Sequence, residues 1–523
     1  MKKTAFLSAI LCILLAFYGC GTADVPKAPS TPDIPENAVK IVLSDSGVTV
    51  NGTPASSEGA VYTANDIVYY EEGKDFTYGE GSDADAHSKT EADAHTVVHI
   101  TEAGTYAVSG KLSRGQIAID LGKDAKEDST AVVTLILNGA DVTCTVAPAV
   151  IFYNVYECGS TEENDARRDV DTSAAGANVI IADGSVNNIN GSYVARIYKP
   201  ESVVLNDAGT EVADAKKLHK YDAAFYSRMS MNVGGGKENS GILNIKAENE
   251  GLDSELHLTV NGANINIVSG NDGINTNEDG ISVTTVNGGT LKIRVSGETG
   301  EGDGIDSNGW LVINGGTVIA EACSFSGDAG IDSDMGIHIN GGTVIATGSM
   351  LDKIEEGGST YAVFTFASKQ QGGKTVTFKN ANGDSVLDYT PENAYSILVF
   401  ASAELEAGTY TLYSDKTQLA GAPGSFGGFG GMGGNGGVGG RPAGDPPAKP
   451  EGNPPEHPNG TPPERPEGNP PEMPQGNPPE FPDGQGNHGA FDPNNMFSAE
   501  IERSTEFVIK AGANMFSAIT AVK

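Results

Sequence analysis

Residues 303–320 read DGIDSNGWLVINGGTVIA, and the pattern returns on both sides of them. Its first half recurs as EGLDS at 250–254, DGINT at 272–276, DGIDS at 303–307 and AGIDS at 329–333. Its second half recurs as LTVNGANINI from Leu258, TTVNGGTLKI from Thr284, LVINGGTVIA from Leu311 and IHINGGTVIA from Ile337. The turn asparagines Asn261, Asn287, Asn314 and Asn340 stand 26, 27 and 26 residues apart. A period in the twenties built from short β-runs, without the leucine ladder of a horseshoe, predicts a solenoid, each period being one coil of a parallel β-helix.

Within a coil, alternation sends Leu311, Ile313, Val318 and Ala320 inward, while Asn314, Gly315 and Gly316 supply the corner. Stacking at roughly 4.8 Å places Leu252, Ile274, Ile305 and Ile331 in an interior column and Asp253, Asn275, Asp306 and Asp332 in an outward one. Like charges at that spacing repel by roughly 1 kcal/mol per pair even in water. Glu250, Asp272, Asp279, Asp303, Asp328 and Asp334 crowd the same corner, and neither His nor Cys accompanies them. Oxygen-only ligands at Gly-rich bends suit a hard cation with six to eight flexible ligands, hence Ca2+. The candidate ligands are Asp253, Asp272, Asn275, Asp303, Asp306, Asp328 and Asp332. The alternative is a solvated acidic face whose Asn and Asp residues only form turns.

The chain has 523 residues, with 33 Lys and Arg against 69 Asp and Glu, a net charge of -36. That balance excludes nucleic acid and anionic lipid as partners, and requires any anionic ligand to be met through a bound cation. Sixty-nine Gly and a single Trp fit a β-solenoid with low-complexity attachments.

Residues 1–19 form a signal peptide: Lys2 and Lys3 precede the apolar run Ala5 to Phe17, too short to span a bilayer. Tyr18, Gly19 and Cys20 then resemble a bacterial lipobox, although Phe17 stands where Leu is usual. Lipidation of Cys20 would anchor the protein on the outer face of the cell membrane; plain secretion is the alternative. Residues 20–40 read as a tether, 41–96 as an irregular β segment ending in a mobile acidic loop (79–95), and 97–350 as the β-helix. About seven coils are expected, the last four regular. Cys144 is placed level with Ile267 and Ile293, pointing inward; no disulfide framework is expected.

Beyond Met350 alternating runs predict a small antiparallel β cap over 351–420, completed by C-terminal strands in 496–523. Between them lies a Gly/Pro-rich disordered insertion, 421–495, with the repeats GNPPEHPN, GTPPERPE, GNPPEMPQ and GNPPEFPD from Gly452. Pro at this density cannot enter a sheet, so the segment is an extended spacer or an exposed contact for cell wall or another protein.

The series TEAGTYAVSGKLSRGQIAID, VTLILNGADVTC and AAFYSRMSMNV, followed by the DGIDS and NGGT coils, resembles the bacterial cell-surface carbohydrate-binding β-helix family, similar in fold to family 9 polysaccharide lyases. The likeness covers roughly residues 40 to 420. It implies an all-β, right-handed parallel β-helix, several calcium ions at the Asp-rich corner, and binding of cellulose or polygalacturonate. The function expected is non-catalytic, calcium-dependent polysaccharide binding, with Trp310 as the sugar-stacking platform. The alternatives are a lyase, in which calcium acidifies the proton beside a uronate carboxylate and Lys246 or Lys292 removes it, and a structural envelope solenoid.

Overall fold

Register carries the architecture. In the computed structural model, which describes residues 34–424 and 502–522, nearly all regular structure is β and most neighbouring strands are parallel. Each repeat gives one strand to each of three parallel ladders, always in the same order. Glu250–Ser254, His257–Val260 and Asn264–Ser269 are followed by Ile274–Thr276, Val283–Val286 and Thr290–Val295, then by Ile305–Ser307, Trp310–Ile313 and Thr317–Glu321. Equivalent strands pair without slippage: Leu252 on Ile274 on Ile305, Leu258 on Thr284 on Leu311, Ile265 on Leu291 on Val318. Ile305 also bridges Ile331, so the expected interior column is continuous, and all four of its members are buried.

The residue types explain the tight stacking. A Cβ on Gly273 would lie 2.1 Å from Ile293 Cγ2, and one on Gly304 would lie 2.3 Å from the Gly330 carbonyl oxygen, so the Gly of each DGI motif admits the neighbouring strands. At the NGG corner Gly316 has φ +79, a backbone conformation costly for a side chain. The corner asparagines form their own ladder: Asn287 donates to Asn261, Asn314 to Asn287 and Asn340 to Asn314, at 2.8–2.9 Å.

The parallel stacking begins before residue 97. Val39–Leu43 pairs in parallel with Gly104–Leu112, Ile41 facing Val108, so the chain joins the second ladder where a tether and irregular segment were expected. The acidic stretch 79–95 is structured: it holds the helix Lys89–Ala92, capped by Ser88, and ends on the fully buried His95. Its charges are spent on neighbours, Glu80 on Lys217 at 3.0 Å and Asp85 on the Tyr193 hydroxyl. Cys144 is buried, but its backbone N–H meets the carbonyl of Asn190, which places it level with Ala247 and Val295, two positions beyond Ile267 and Ile293.

Tyr395–Ala401 pairs antiparallel with the last repeat strand, Thr343–Gly348, and ends that ladder; the cap beyond is mixed rather than antiparallel as expected, since Tyr361–Gln370 pairs in parallel with Ala513–Ala521. A second core gathers behind it around Phe364, Phe378, Phe400 and Phe507. The strands Thr417–Pro423 and Ala513–Ala521, on either side of the Gly/Pro-rich insertion, pair with each other in this cap. The insertion itself, the signal sequence and Cys20 lie outside the described residues.

Candidate functional site

Two residues before each buried Leu or Ile of the first ladder stand Glu250, Asp272 and Asp303; one residue after stand Asp253, Asn275, Asp306 and Asp332. The two columns meet at the corner, where the Asn275 amide donates to Glu250 Oε1 at 3.2 Å. They are far from an outward, solvated face. Asp253 is fully buried, and Glu250, Asn275 and Asp272 expose no more than 9% of their surface. Asp306 and Asp332 are intermediate. The reason is crowding by columns on both sides: Asn277 reaches over Asp253 and donates to both its carboxylate oxygens at 2.9 and 3.0 Å.

Part of the acidity has a structural use. Asp272 accepts the Asp303 N–H at 2.7 Å, Asp303 accepts the Ala329 N–H at 2.5 Å, and Asp328 accepts the Gly302 N–H at 2.6 Å, so these carboxylates fasten one repeat to the next. The rest is uncompensated. Glu250 Oε2 and Asn275 Oδ1 are buried with no hydrogen-bond partner; the amide oxygen can only accept, and so can the carboxylate oxygen once ionised. Among the described residues, none of Glu250, Asp253, Asp272, Asp303, Asp306 and Asp332 is in an ion pair; Arg196 pairs with the neighbouring Asp222 at 3.5 Å.

Desolvation dominates the electrostatics and neighbouring carboxylates add to it. Burial followed by Asp222 pushes Glu250 up to about 8, and burial followed by Asp272 pushes Asp303 up to about 9. Asp332 rises to about 7 through burial and Asp352, and Asp306 to about 6 through burial and Asp334. Asp253 and Asp272 are raised well above the carboxylate range by burial and then by Glu250.

The donor chemistry fits a hard cation, since carboxylate, amide and backbone carbonyl oxygens are the groups present. The carboxylates stand in rows, and among the described residues no three His, Cys, Asp or Glu side chains close on one point as a ready metal site. A cation held here would therefore draw on Asn275 and on backbone oxygens beside two carboxylates.

The other expected site residues are placed apart. Lys246 and Lys292 are exposed on the third ladder, and their registers differ: Lys246 faces Val268, whereas Lys292 lies between Asn266 and Ile319. Neither is brought to the acidic columns, which belong to the first ladder. Trp310 is half-buried in the second ladder, between Val283 and the position of Gly336. Asp279 and Asp334 are exposed. Asp222, Glu255 and Asn277 join the cluster without having been singled out: Glu255 takes the Tyr226 hydroxyl, and Asp222 presses on Glu250 through charge. Only Asn277 carried a readable signal, since it follows DGINT directly.

A comparison with curated proteins returns no match. Among solved structures, the polysaccharide lyase-like protein from C. thermocellum, in its gadolinium derivative, is similar at 17% identity over 59% of this chain and 90% of that one, with a TM-score of 0.34. Residues 94–387, more than half of the chain and including both acidic columns, match the profile of a family described as carbohydrate-binding domain-containing protein. The chain belongs to that carbohydrate-binding domain family.

Proposed function

We propose that the protein is a calcium-dependent, non-catalytic binder of plant cell-wall-type polysaccharide, cellulose or polygalacturonate, held at the bacterial cell surface. In this reading the three ladders wind as a right-handed parallel β-helix, and Ca2+ at the acidic corner bridges its partly exposed carboxylates, Asp306 and Asp332, to those of polygalacturonate. The observation that carries it is the pair of orphaned acceptors, Glu250 Oε2 and Asn275 Oδ1, inside a buried carboxylate column with no cation of its own. A buried charge without a partner is costly, and a divalent ion removes that cost where a proton otherwise must. Family membership supports the carbohydrate as partner.

The lyase alternative requires a base beside the ion, and Lys246 and Lys292 stand on another ladder. Nothing in the geometry favours it over binding. The lipid anchor is part of the proposal: Cys20→Ser is expected to release the protein into the medium with glycan binding intact.

The test is polygalacturonate binding measured with calcium and with a chelator, alongside absorbance for unsaturated product. Binding with calcium only, weakened by Asp306→Ala, and no product on long incubation are the expected results. Product lost in Lys292→Ala or Lys246→Ala would establish a lyase instead. Equal binding with and without calcium would remove the bridging mechanism.

A further inference from the structure

Two segments that interrupt the repeat pattern, one around residues 67–80 and one around 194–220, fold together beside the first ladder. Gly79 bridges Ile197, Tyr198 bridges Lys217, and the Tyr198 N–H donates to the Tyr78 carbonyl at 2.9 Å. These passes bring residues distant in sequence onto one surface. Between them opens a cleft of about 360 Å³ whose walls include Tyr69, Tyr78, Tyr198 and Leu218, with His219 at its floor. A second cleft of about 390 Å³ shares Leu218 and His219 with the first and continues past Lys220 and Arg228 to Glu255. The two clefts adjoin across Leu218 and His219 and are treated together as one groove, aromatic at one end and cationic at the other, each half of a size that small-ligand clefts have, roughly 300–1,000 Å³.

Part of its chemistry is unspent, although Lys220 acts through charge on Asp222 and Glu255. Among the described residues, Lys220 and Arg228 form no ion pair, in a chain where acids outnumber bases 69 to 33. Lys217 is already held by Glu80, and Glu255 by the Tyr226 hydroxyl. Glu278 also lines the cationic half. The hydroxyls of Tyr69 and Tyr198 have no hydrogen-bond partner among the described residues. His219 stacks on Tyr221 with ring centroids 4.2 Å apart, and both its ring nitrogens are buried and unpartnered. Burial and then Arg228 lower its pKa to about 4, so the ring is neutral and adds no charge to the groove. Leu218 is 56% exposed on the ridge between the halves.

We infer that this groove is a glycan subsite for an acidic sugar, with ring faces against Tyr69 and Tyr198 and the carboxylate on Lys220 and Arg228. Aromatic faces take the apolar C–H side of a pyranose, and paired cations take a carboxylate in charge-assisted hydrogen bonds. The subsite rests on the carbohydrate-binding reading above but uses no metal.

The experiment is calorimetric titration of trigalacturonate and of cellotriose into the full chain at fixed calcium, in wild type, Lys220→Gln, the double variant Lys220→Gln/Arg228→Gln, and Tyr198→Ala. The double variant is expected to lose about tenfold or more in trigalacturonate affinity, and Lys220→Gln alone a smaller part of it. Tyr198→Ala is expected to weaken trigalacturonate as well. In every variant the rise in melting temperature on adding calcium should persist, which shows the acidic columns intact. If wild type binds trigalacturonate and the variants bind it equally well, the groove assignment is wrong while the binding reading stands. If wild type prefers cellotriose and only Tyr198→Ala reduces that binding, the acidic-sugar assignment is overturned. If wild type binds neither sugar, both readings fall.

Discussion

Raising the pH of the calcium-free protein should unfold it progressively, and Glu250 shows by how much. In the unfolded chain its carboxyl ionises at its ordinary value of 4.5; in the folded chain it keeps its proton up to about 8. Between those values the unfolded state binds fewer protons, so stability falls as pH rises through the window and levels off above it. The full shift corresponds to about 4 to 5 kcal/mol at 1.36 kcal/mol per pKa unit, a large fraction of the roughly 5–15 kcal/mol that holds a typical domain together. Asp332, raised to about 7, and Asp303, raised to about 9, act in the same direction over overlapping windows. A cation that binds only the folded state reverses the trend, adding about 2.7 kcal/mol at a hundredfold excess over its dissociation constant, and more effectively as protons leave. The assay is urea unfolding at four pH values from about 5 to about 8, with chelator and with calcium. Midpoints should fall with pH in chelator and be restored by calcium, most strongly at the alkaline end. Chelator midpoints that stay flat or rise across this range would refute the electrostatic account of the column, and midpoints insensitive to calcium would remove the ion.

Glu321 is buried and accepts the Glu392 N–H at 2.9 Å, the Asn393 N–H at 2.7 Å and the Tyr389 hydroxyl, so it latches the cap to the repeats. Glu321→Ala should cost about 2 to 4 kcal/mol and expose the cap to limited proteolysis ahead of the ladders; simultaneous digestion of both would argue against a latch. Gly316→Ala places a Cβ 2.7 Å from the Gly289 carbonyl at φ +79 and should lower stability by about 2 kcal/mol or more in urea melts. Ala263→Gly at the equivalent corner, where φ is already +71, should change it by less than about 1 kcal/mol; equal effects at the two corners would contradict the steric argument. Asn314→Ala removes two exposed side-chain hydrogen bonds of the corner ladder and should cost only about 1 kcal/mol, read as a small shift of the same midpoint.

How much was readable follows from how local each signal is. The columns Leu252, Ile274, Ile305 and Ile331, and the corner series Asn261 to Asn340, could be assigned because side-chain direction alternates and the repeat length sets the register. The parallel pairing of Val39–Leu43 with Gly104–Leu112 could not, since about sixty residues with no shared motif separate the partners. The acidic stretch before residue 97 looked mobile because its composition is polar, and it is ordered because Arg196, Lys217 and Tyr193, more than a hundred residues later, receive its charges and close its backbone.

The sequence by itself determined the order of the strands within each repeat, their stacking register, and the vertical rows of Asp and Asn, all consequences of a period written into neighbouring residues. Only the tertiary structure decided how deeply those rows are buried, because solvent is excluded by columns from either side of the same corner, Asn277 over Asp253 and Glu250 against Asn275. It also decided that Lys246 and Lys292 stand on a ladder away from the acids, and that Tyr69, Tyr198, His219, Lys220 and Arg228 share a groove. Burial and convergence depend on the joint positions of chain segments far apart in sequence, and no local pattern of residue types encodes those positions.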